Sequence, residues 1–190
     1  MKTAAIVLAA GASRRMGEPK QLVRFGNKTL LERAVAVCTA AGCAPVIAVL
    51  GASSARITSQ IRIEASVVIN PDWEEGIASS IRAGVRSLAD YVDGCILLTC
   101  DMPYITADHL RRLLASGRIM SSAYAGRRGV PAYFPRSSFS SLLQLQGDHG
   151  ARDLLAPAEA IDLPGGEFDI DTPEDLKQLR LCSISSANAR

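Results

Sequence analysis

The sequence predicts an α/β protein, a three-layer sandwich in which a mostly parallel sheet lies between two layers of helices. Three observations predict it. The apolar runs Thr3–Leu8, Pro45–Leu50 and Cys95–Thr99 have strand length and lack the alternation of a strand with one wet face, so each is expected to be buried on both sides. Segments with apolar residues at helical spacing separate these runs. A chain of 190 residues suffices for one domain with a substantial core.

The elements follow in order. Thr3–Leu8 is the first strand. Thr29–Ala41 reads as a helix with Leu30, Leu31, Ala34, Val35 and Cys38 on one face and Gly42 as its stop. Pro45–Leu50 is the second strand. Ser53–Ile63 is a helix of weaker propensity, because Ser, Thr and Ile are numerous in it. Ser66–Asn70 is the third strand, closed by Pro71. Ile77–Leu88 is a helix and Cys95–Thr99 the fourth strand. Thr106 is placed to cap a helix that buries Leu110, Leu113 and Leu114. Ser121–Phe134 reads as two short strands around Gly126-Arg127-Arg128-Gly129, and Ser137–Gln146 and Ala151–Leu155 as short helices. Thr172 is a natural N-cap, Pro173 suits a first helical turn, and Glu174 and Asp175 favour the positive end of that helix. One domain is expected over residues 1–182, with a frayed polar tail from Ser183 to Arg190. This alternation is Rossmann-like, with right-handed crossovers and the ligand at the carboxyl ends of the strands. It brings Gly11–Lys20, Asn70–Ser80 and Asp101–Tyr104 to one rim.

Lysine and arginine outnumber aspartate and glutamate by 21 to 19, and no basic block or acidic tail occurs, so no nucleic-acid partner is expected and any anion affinity is local. No apolar run is long enough to span a bilayer, and none resembles a secretory leader, so no membrane partner and a cytoplasmic location are expected. Cys38, Cys43, Cys95, Cys100 and Cys182 are odd in number and form no Cys-x-x-Cys pair, which favours small buried hydrophobes over disulfides or zinc ligands.

The most informative segment is Leu8-Ala9-Ala10-Gly11-Ala12-Ser13-Arg14-Arg15-Met16-Gly17-Glu18-Pro19-Lys20, which follows the first strand. Gly11 and Gly17 let backbone amides approach phosphate oxygens, and Arg14, Arg15 and Lys20 supply countercharge. The loop is not a P-loop, since Pro19 precedes Lys20 and no Gly-Lys-Ser/Thr opens a helix; nor does it have dinucleotide glycine spacing. A triphosphate requires a divalent cation, and Mg2+ takes oxygen ligands, often one or two carboxylates. Asp101, just past the fourth strand, is the first candidate ligand, and Asp171 in Asp169-Ile170-Asp171 the second. Asn70, Gly76, Ser79 and Ser80 form a second rim loop that opens a helix and suits a base, ribose or phosphate contact. His109 and His149 show no catalytic pattern, and no Ser-His-Asp or Cys-His arrangement is visible, so a protein nucleophile is not expected.

The opening Leu8-Ala9-Ala10-Gly11-x-Ser13-x-Arg15-Met16-Gly17-x-x-Lys20 resembles the signature of the molybdopterin nucleotidyltransferase family, within the glycosyltransferase-A-like NTP transferases. Later pieces resemble it in the same order: Asn70-Pro71 with Gly76 and Ser80, Asp101-Met102-Pro103, Gly129-x-Pro131-x-x-Phe134, Gly147-Asp148-x-Gly150-Ala151-Arg152, and Asp169-Ile170-Asp171-Thr172-Pro173. The resemblance covers nearly the whole chain and implies a nucleotide-diphospho-sugar-transferase-like fold. Ala-Ala-Gly, with Ala10 where a guanylyltransferase-like branch has glycine, resembles the cytidylyltransferase branch. Val130 departs from the polar residue often found there.

The resemblance implies transfer of CMP from CTP to molybdopterin, with Mg2+ (or Mn2+) and release of pyrophosphate. Arg15, Lys20 and Asp101 would be catalytic. Ala9, Ala10, Gly11, Ser13, Arg14, Asn70, Gly76 and Ser80 would complete the nucleotide site, Asp101 and Asp171 the metal site, and Gly129, Pro131, Phe134 and Arg152 the acceptor site. A molybdoenzyme receiving the cofactor is an implied partner. Use of GTP, a sugar-phosphate acceptor, a nicotinamide-dependent oxidoreductase and a non-catalytic cofactor-binding chaperone remain as alternatives.

Overall fold

The computed structural model describes residues 2–187, with the side chains of residue 180 and of residues 182–187 left out. In chain order the elements are β1 (Thr3–Ala9), β2 (Arg24–Phe25), β3 (Lys28–Thr29), α1 (Leu30–Ala40), β4 (Val46–Leu50), α2 (Ser54–Gln60), β5 (Ser66–Ile69), α3 (Ile77–Arg86), β6 (Gly94–Thr99), α4 (Ala107–Leu114), β7 (Met120–Tyr124), β8 (Arg127–Pro135), α5 (Phe139–Leu143), α6 (Arg152–Leu155), β9 (Glu159–Asp162) and α7 (Pro173–Ala187). Seven strands form one sheet in the order β5-β4-β1-β6-β8-β7-β9, and β2 and β3 make a separate hairpin.

The continuous apolar strands are buried on both faces because their alternate side chains enter two different cores. Ala5, Val7 and Ala9 of β1 pack with Ala48, Leu50, Ile96 and Leu98 under α1, α2 and α4, through Leu31, Val35, Ile57 and Leu110. Ala4, Ile6 and Leu8 pack with Ile47, Val49, Cys95 and Leu97 under α3, α5 and α6, through Ile81, Val85, Leu142 and Leu155. These two cores make the three-layer sandwich.

The β1–β4, β1–β6, β4–β5 and β7–β9 pairs are parallel, while β8 runs antiparallel to both β6 and β7. The reversal comes from the β7–β8 hairpin, which turns at Ala125 (φ 46°) and Gly126 (φ 71°). The expected caps form. Thr29 accepts from the Glu32 amide while Glu32 accepts from the Thr29 amide, and Thr106 accepts from the His109 amide. Thr172 accepts from the Asp175 amide at the start of α7.

α7 runs from Pro173 to Ala187, and residues 188–190 of the expected tail lie outside the described residues. Cys38, Cys43, Cys95 and Cys100 are buried free thiols, as expected, and the Cys182 side chain lies outside the described ones. His109 is more than incidental. It is buried, and its Nε2 lies 2.7 Å from Ser122 Oγ, which donates to the Pro131 carbonyl at 2.6 Å. With the Ser122 proton given to Pro131, Nε2–H of His109 is the donor, and the chain ties α4 to β7 and β8. No helix among the described residues is long and apolar enough to cross a membrane.

Candidate active site

The carboxyl ends of β1, β4, β5 and β6 open on one rim. A cavity of about 570 Å3 there is lined by the loop Leu8–Arg15 with Lys20, by Trp73, Gly76 and Ser80, and by Asp101 and Asp148. Of the residues expected to bind nucleotide, Ala9, Ala10, Gly11, Ser13, Arg14, Arg15, Lys20, Gly76 and Ser80 therefore face one space, and Asp101 faces it with them.

The loop is held by groups the sequence did not single out. Gln21, fully buried, donates through Nε2 to the carbonyls of Ala9 (2.6 Å) and Gly11 (3.1 Å). Ser13, at φ 53°, accepts from the Lys20 amide at 3.0 Å, so its hydroxyl closes the loop from within. A Cβ on Gly11 would meet no protein atom within 4 Å, which leaves that backbone open to a ligand. Met16 packs with Val23, Leu30, Ile170 and Leu179, seating the loop on the segment before α7.

That packing explains the carboxylate cluster. Ile170 is buried, and its amide donates to the Asp101 carbonyl at 3.1 Å, so Asp169 and Asp171 flank a strapped-down residue beside Asp101. Lys20 Nζ donates to Asp101 Oδ2 at 2.5 Å and to Asp171 Oδ1 at 2.9 Å, and Arg15 donates to Asp171 Oδ2 at 2.5 Å. Burial alone would lower the pKa of the Lys20 ammonium, but Asp101 and then Asp171 outweigh it, and the net shift is upward. The Asp171 carboxyl is lowered, because the hydrogen bond and charge of Lys20, followed by Arg15, overcome its own desolvation. Asp169 is pushed up to about 6, first by the protein around its carboxyl and then by the charges of Asp101 and Asp171, although the residue as a whole is exposed.

These features fit a divalent cation. Asp101 Oδ1 is buried without a hydrogen-bond partner, and the Asp169 carboxyl is raised, first by desolvation and then by the charges of Asp101 and Asp171. Among the described residues no cluster of three or more ligating side chains forms a closed cage.

A second cavity, of about 990 Å3, is lined by Tyr124, Arg127, Arg128, Gly129, His149 and Arg152 among others, and shares Ile77 and Asp148 with the first. Gly76 makes this junction. At φ 120°, a Cβ there would lie 2.6 Å from the Gly147 carbonyl oxygen. Gly147 O accepts from the Ala78 amide at 3.1 Å, and Asp148 Oδ1 from the Ile77 amide at 3.3 Å. The first amides of α3 are thus engaged by the 147–148 loop rather than offered to a phosphate.

Three of the expected site residues line neither cavity. Asn70 does not line the cavity. It is buried, donates to Ser79 Oγ (2.8 Å) and Ser80 Oγ (3.0 Å), and accepts from the Asp72 amide (3.1 Å), so it shapes the loop from below. Phe134 is fully buried on β8 opposite Cys95, in the core under α3. Pro131 is buried too, its carbonyl taken by Ser122. Pro131 and Phe134, three positions apart, point to opposite faces of β8, both of which are covered there, while Gly129 and Arg152 do reach the second cavity. Sequence reasoning missed Gln21, Trp73, Tyr124 and Asp169, of which Asp169, through its Asp-x-Asp spacing, carried a signal; Asp148 lies in the Gly147–Arg152 segment that the resemblance already picked out.

Residues 5–162 match the model of the MobA-like NTP transferase domain. The chain is 32% identical to nicotine blue oxidoreductase of Paenarthrobacter nicotinovorans, over 92% of this chain and 94% of that protein. It is 30% identical to the purine catabolism protein PucB of Bacillus subtilis (92% and 94% covered) and 25% identical to the molybdenum cofactor cytidylyltransferase of Escherichia coli (90% and 91% covered). Among solved structures, Rv0371c of Mycobacterium tuberculosis superposes with a TM-score of 0.83 at 31% identity, covering 94% of this chain and 97% of that one. A structure of Rv0371c in complex with manganese superposes at 0.79 with 29% identity, covering 94% and 98%. The family model and the cavity over β1 agree, and the chain belongs to the MobA-like NTP transferase domain family, as an enzyme of the nucleotidyltransferase kind.

Proposed function

We propose that the protein transfers CMP from CTP to molybdopterin and releases pyrophosphate. The observation that carries this reading is the convergence of the Ala9–Lys20 loop with Asp101 on one cavity, with Asp171 paired to Lys20 and Arg15 of that loop, beside a second cavity rich in arginine. The 25% identity to a molybdenum cofactor cytidylyltransferase over nine-tenths of the chain supports the choice of donor and acceptor.

Arg15 and Lys20 neutralise the triphosphate, and the open backbone at Gly11 lets it approach closely. Asp101, with Asp171, would hold Mg2+ or Mn2+, which supplies charge neutralisation at the phosphate oxygens. Arg127, Arg128 and Arg152 orient the acceptor phosphate, whose oxygen attacks the α-phosphorus in line; no covalent enzyme intermediate is needed. Ala10 narrows the base site against a purine. The work is done in the cytoplasm, and a molybdoenzyme receives the product.

The test is release of pyrophosphate from each nucleoside triphosphate with molybdopterin or a sugar phosphate as acceptor. Pyrophosphate from CTP with molybdopterin alone supports the reading. Release only with a sugar phosphate overturns the acceptor, and tight molybdopterin binding without release overturns turnover. Ala10→Gly raises GTP use relative to CTP; an unaltered ratio sinks the role of Ala10.

A second reading draws on the 32% identity to a protein named an oxidoreductase. It requires NADH binding and oxidation, which the absent dinucleotide glycine spacing disfavours. NADH-dependent turnover without pyrophosphate release would establish it.

A further inference from the structure

Trp73 is the only tryptophan in the chain and is half-buried in the wall of the nucleotide cavity. Its seat is unusually specific. A Cβ on Gly51 would lie 2.5 Å from Trp73 Cβ, 2.7 Å from its Cγ and 2.9 Å from the Ala10 carbonyl oxygen. No other residue at position 51 leaves room for the indole to stand against the end of β1.

The turn that carries Trp73 is fixed at both ends. Asn70 Oδ1 accepts from the Asp72 amide on one side, and on the other Glu75 pairs with Arg82 at 2.6 Å, while Arg82 donates to the Leu145 carbonyl. Sheet order adds direction. β6, leading to Asp101, lies on one side of β1, whereas β4 and β5, leading to Gly51 and Trp73, lie on the other. The cavity therefore has a charged end at Lys20 and Asp101 and an aromatic end at Trp73.

We infer that Trp73 is the surface against which the nucleobase packs, that Gly51 is the residue that admits it, and that this pair supplies the base-dependent part of nucleotide affinity. The inference rests on the nucleotidyltransferase reading above. An indole offers a flat, polarisable face to any heteroaromatic ring, and base–aromatic stacking adds affinity independently of phosphate contacts.

The experiment is calorimetric titration of CTP and of inorganic tripolyphosphate, both with Mg2+, into wild type, Trp73→Ala and Trp73→Phe, alongside wild-type tryptophan emission. Wild type binds CTP roughly 10- to 100-fold more tightly than tripolyphosphate, the range expected for a stacked base. Trp73→Ala loses that advantage and keeps its tripolyphosphate affinity, while Trp73→Phe retains most of both. Saturating CTP changes Trp73 emission and tripolyphosphate does not, a readout that needs no variant to fold. An undiminished CTP advantage in Trp73→Ala, or unmoved emission at saturating CTP, overturns this inference alone. Wild type that binds neither ligand overturns the nucleotidyltransferase reading and this inference with it.

Discussion

The Lys20 ammonium stands 2.5 Å from Asp101 Oδ2, so the residue assigned to the triphosphate neutralises the residue assigned to the metal. Asp171 shares the same ammonium at 2.9 Å. On the proposed reading, Asp101 and Asp171 would pass to an arriving cation and Lys20 to the phosphates, which would leave little charge uncompensated at either stage.

Lys20→Ala tests that exchange. Asp101 and Asp171 then face each other without their shared cation, and the free protein loses about 2–3 kcal/mol of stability, measured by denaturant unfolding. Mg2+ raises the melting temperature of the variant more than that of wild type. CTP affinity falls about 10- to 100-fold. An unchanged affinity would remove Lys20 from the triphosphate.

Asp101→Asn separates chemistry from fold. The amide keeps the shape and loses the charge, so turnover drops on the order of 1,000-fold while the melting temperature moves by only a few degrees. Surviving turnover with a large loss of stability would make Asp101 a structural residue.

Arg152→Ala acts on the acceptor. Arg152 lines the second cavity and not the first, so the acceptor KM rises about tenfold while calorimetric CTP affinity stays within twofold. A loss of CTP affinity instead would place Arg152 on the nucleotide.

Asp169 gives the pH dependence. Its carboxyl is raised from the ordinary 3.8 to about 6, so the folded chain binds more protons than the unfolded chain between those values. Its contribution to stability therefore falls as pH rises from about 4 to about 6. Asp169→Asn gains stability over wild type above pH 6 and none below pH 4, and Mg2+ narrows the gap at neutral pH. Parallel pH–stability curves for the two proteins would refute the assignment.

Much of the fold was legible because β1, β4 and β6 are uninterrupted apolar runs, a pattern that buried parallel strands require. Caps at Thr29, Thr106 and Thr172 were legible for the same local reason. β9 and the β2–β3 hairpin were not, being short, largely exposed and held by their neighbours rather than by their own pattern. At the site, the loop and Asp101 could be read from charge and glycine placement. Asn70 and Phe134 could not be told from ligand contacts, because a buried amide that shapes a loop and an aromatic that fills a core leave the same trace in a sequence. Trp73 was silent for the converse reason, since its role depends on Gly51, 22 positions earlier, which the fold brings against it.

The central claim is that the cavity above β1 takes a nucleoside triphosphate together with a divalent cation, and the most direct measurement is thermal stabilisation by CTP, GTP, ATP and UTP, each with and without Mg2+. A ligand at a hundred times its Kd stabilises by about 2.7 kcal/mol, a readily visible shift. The account predicts a Mg2+-dependent shift that is largest for CTP. A protein that gains no stability from any of the four, with or without the cation, would contradict it.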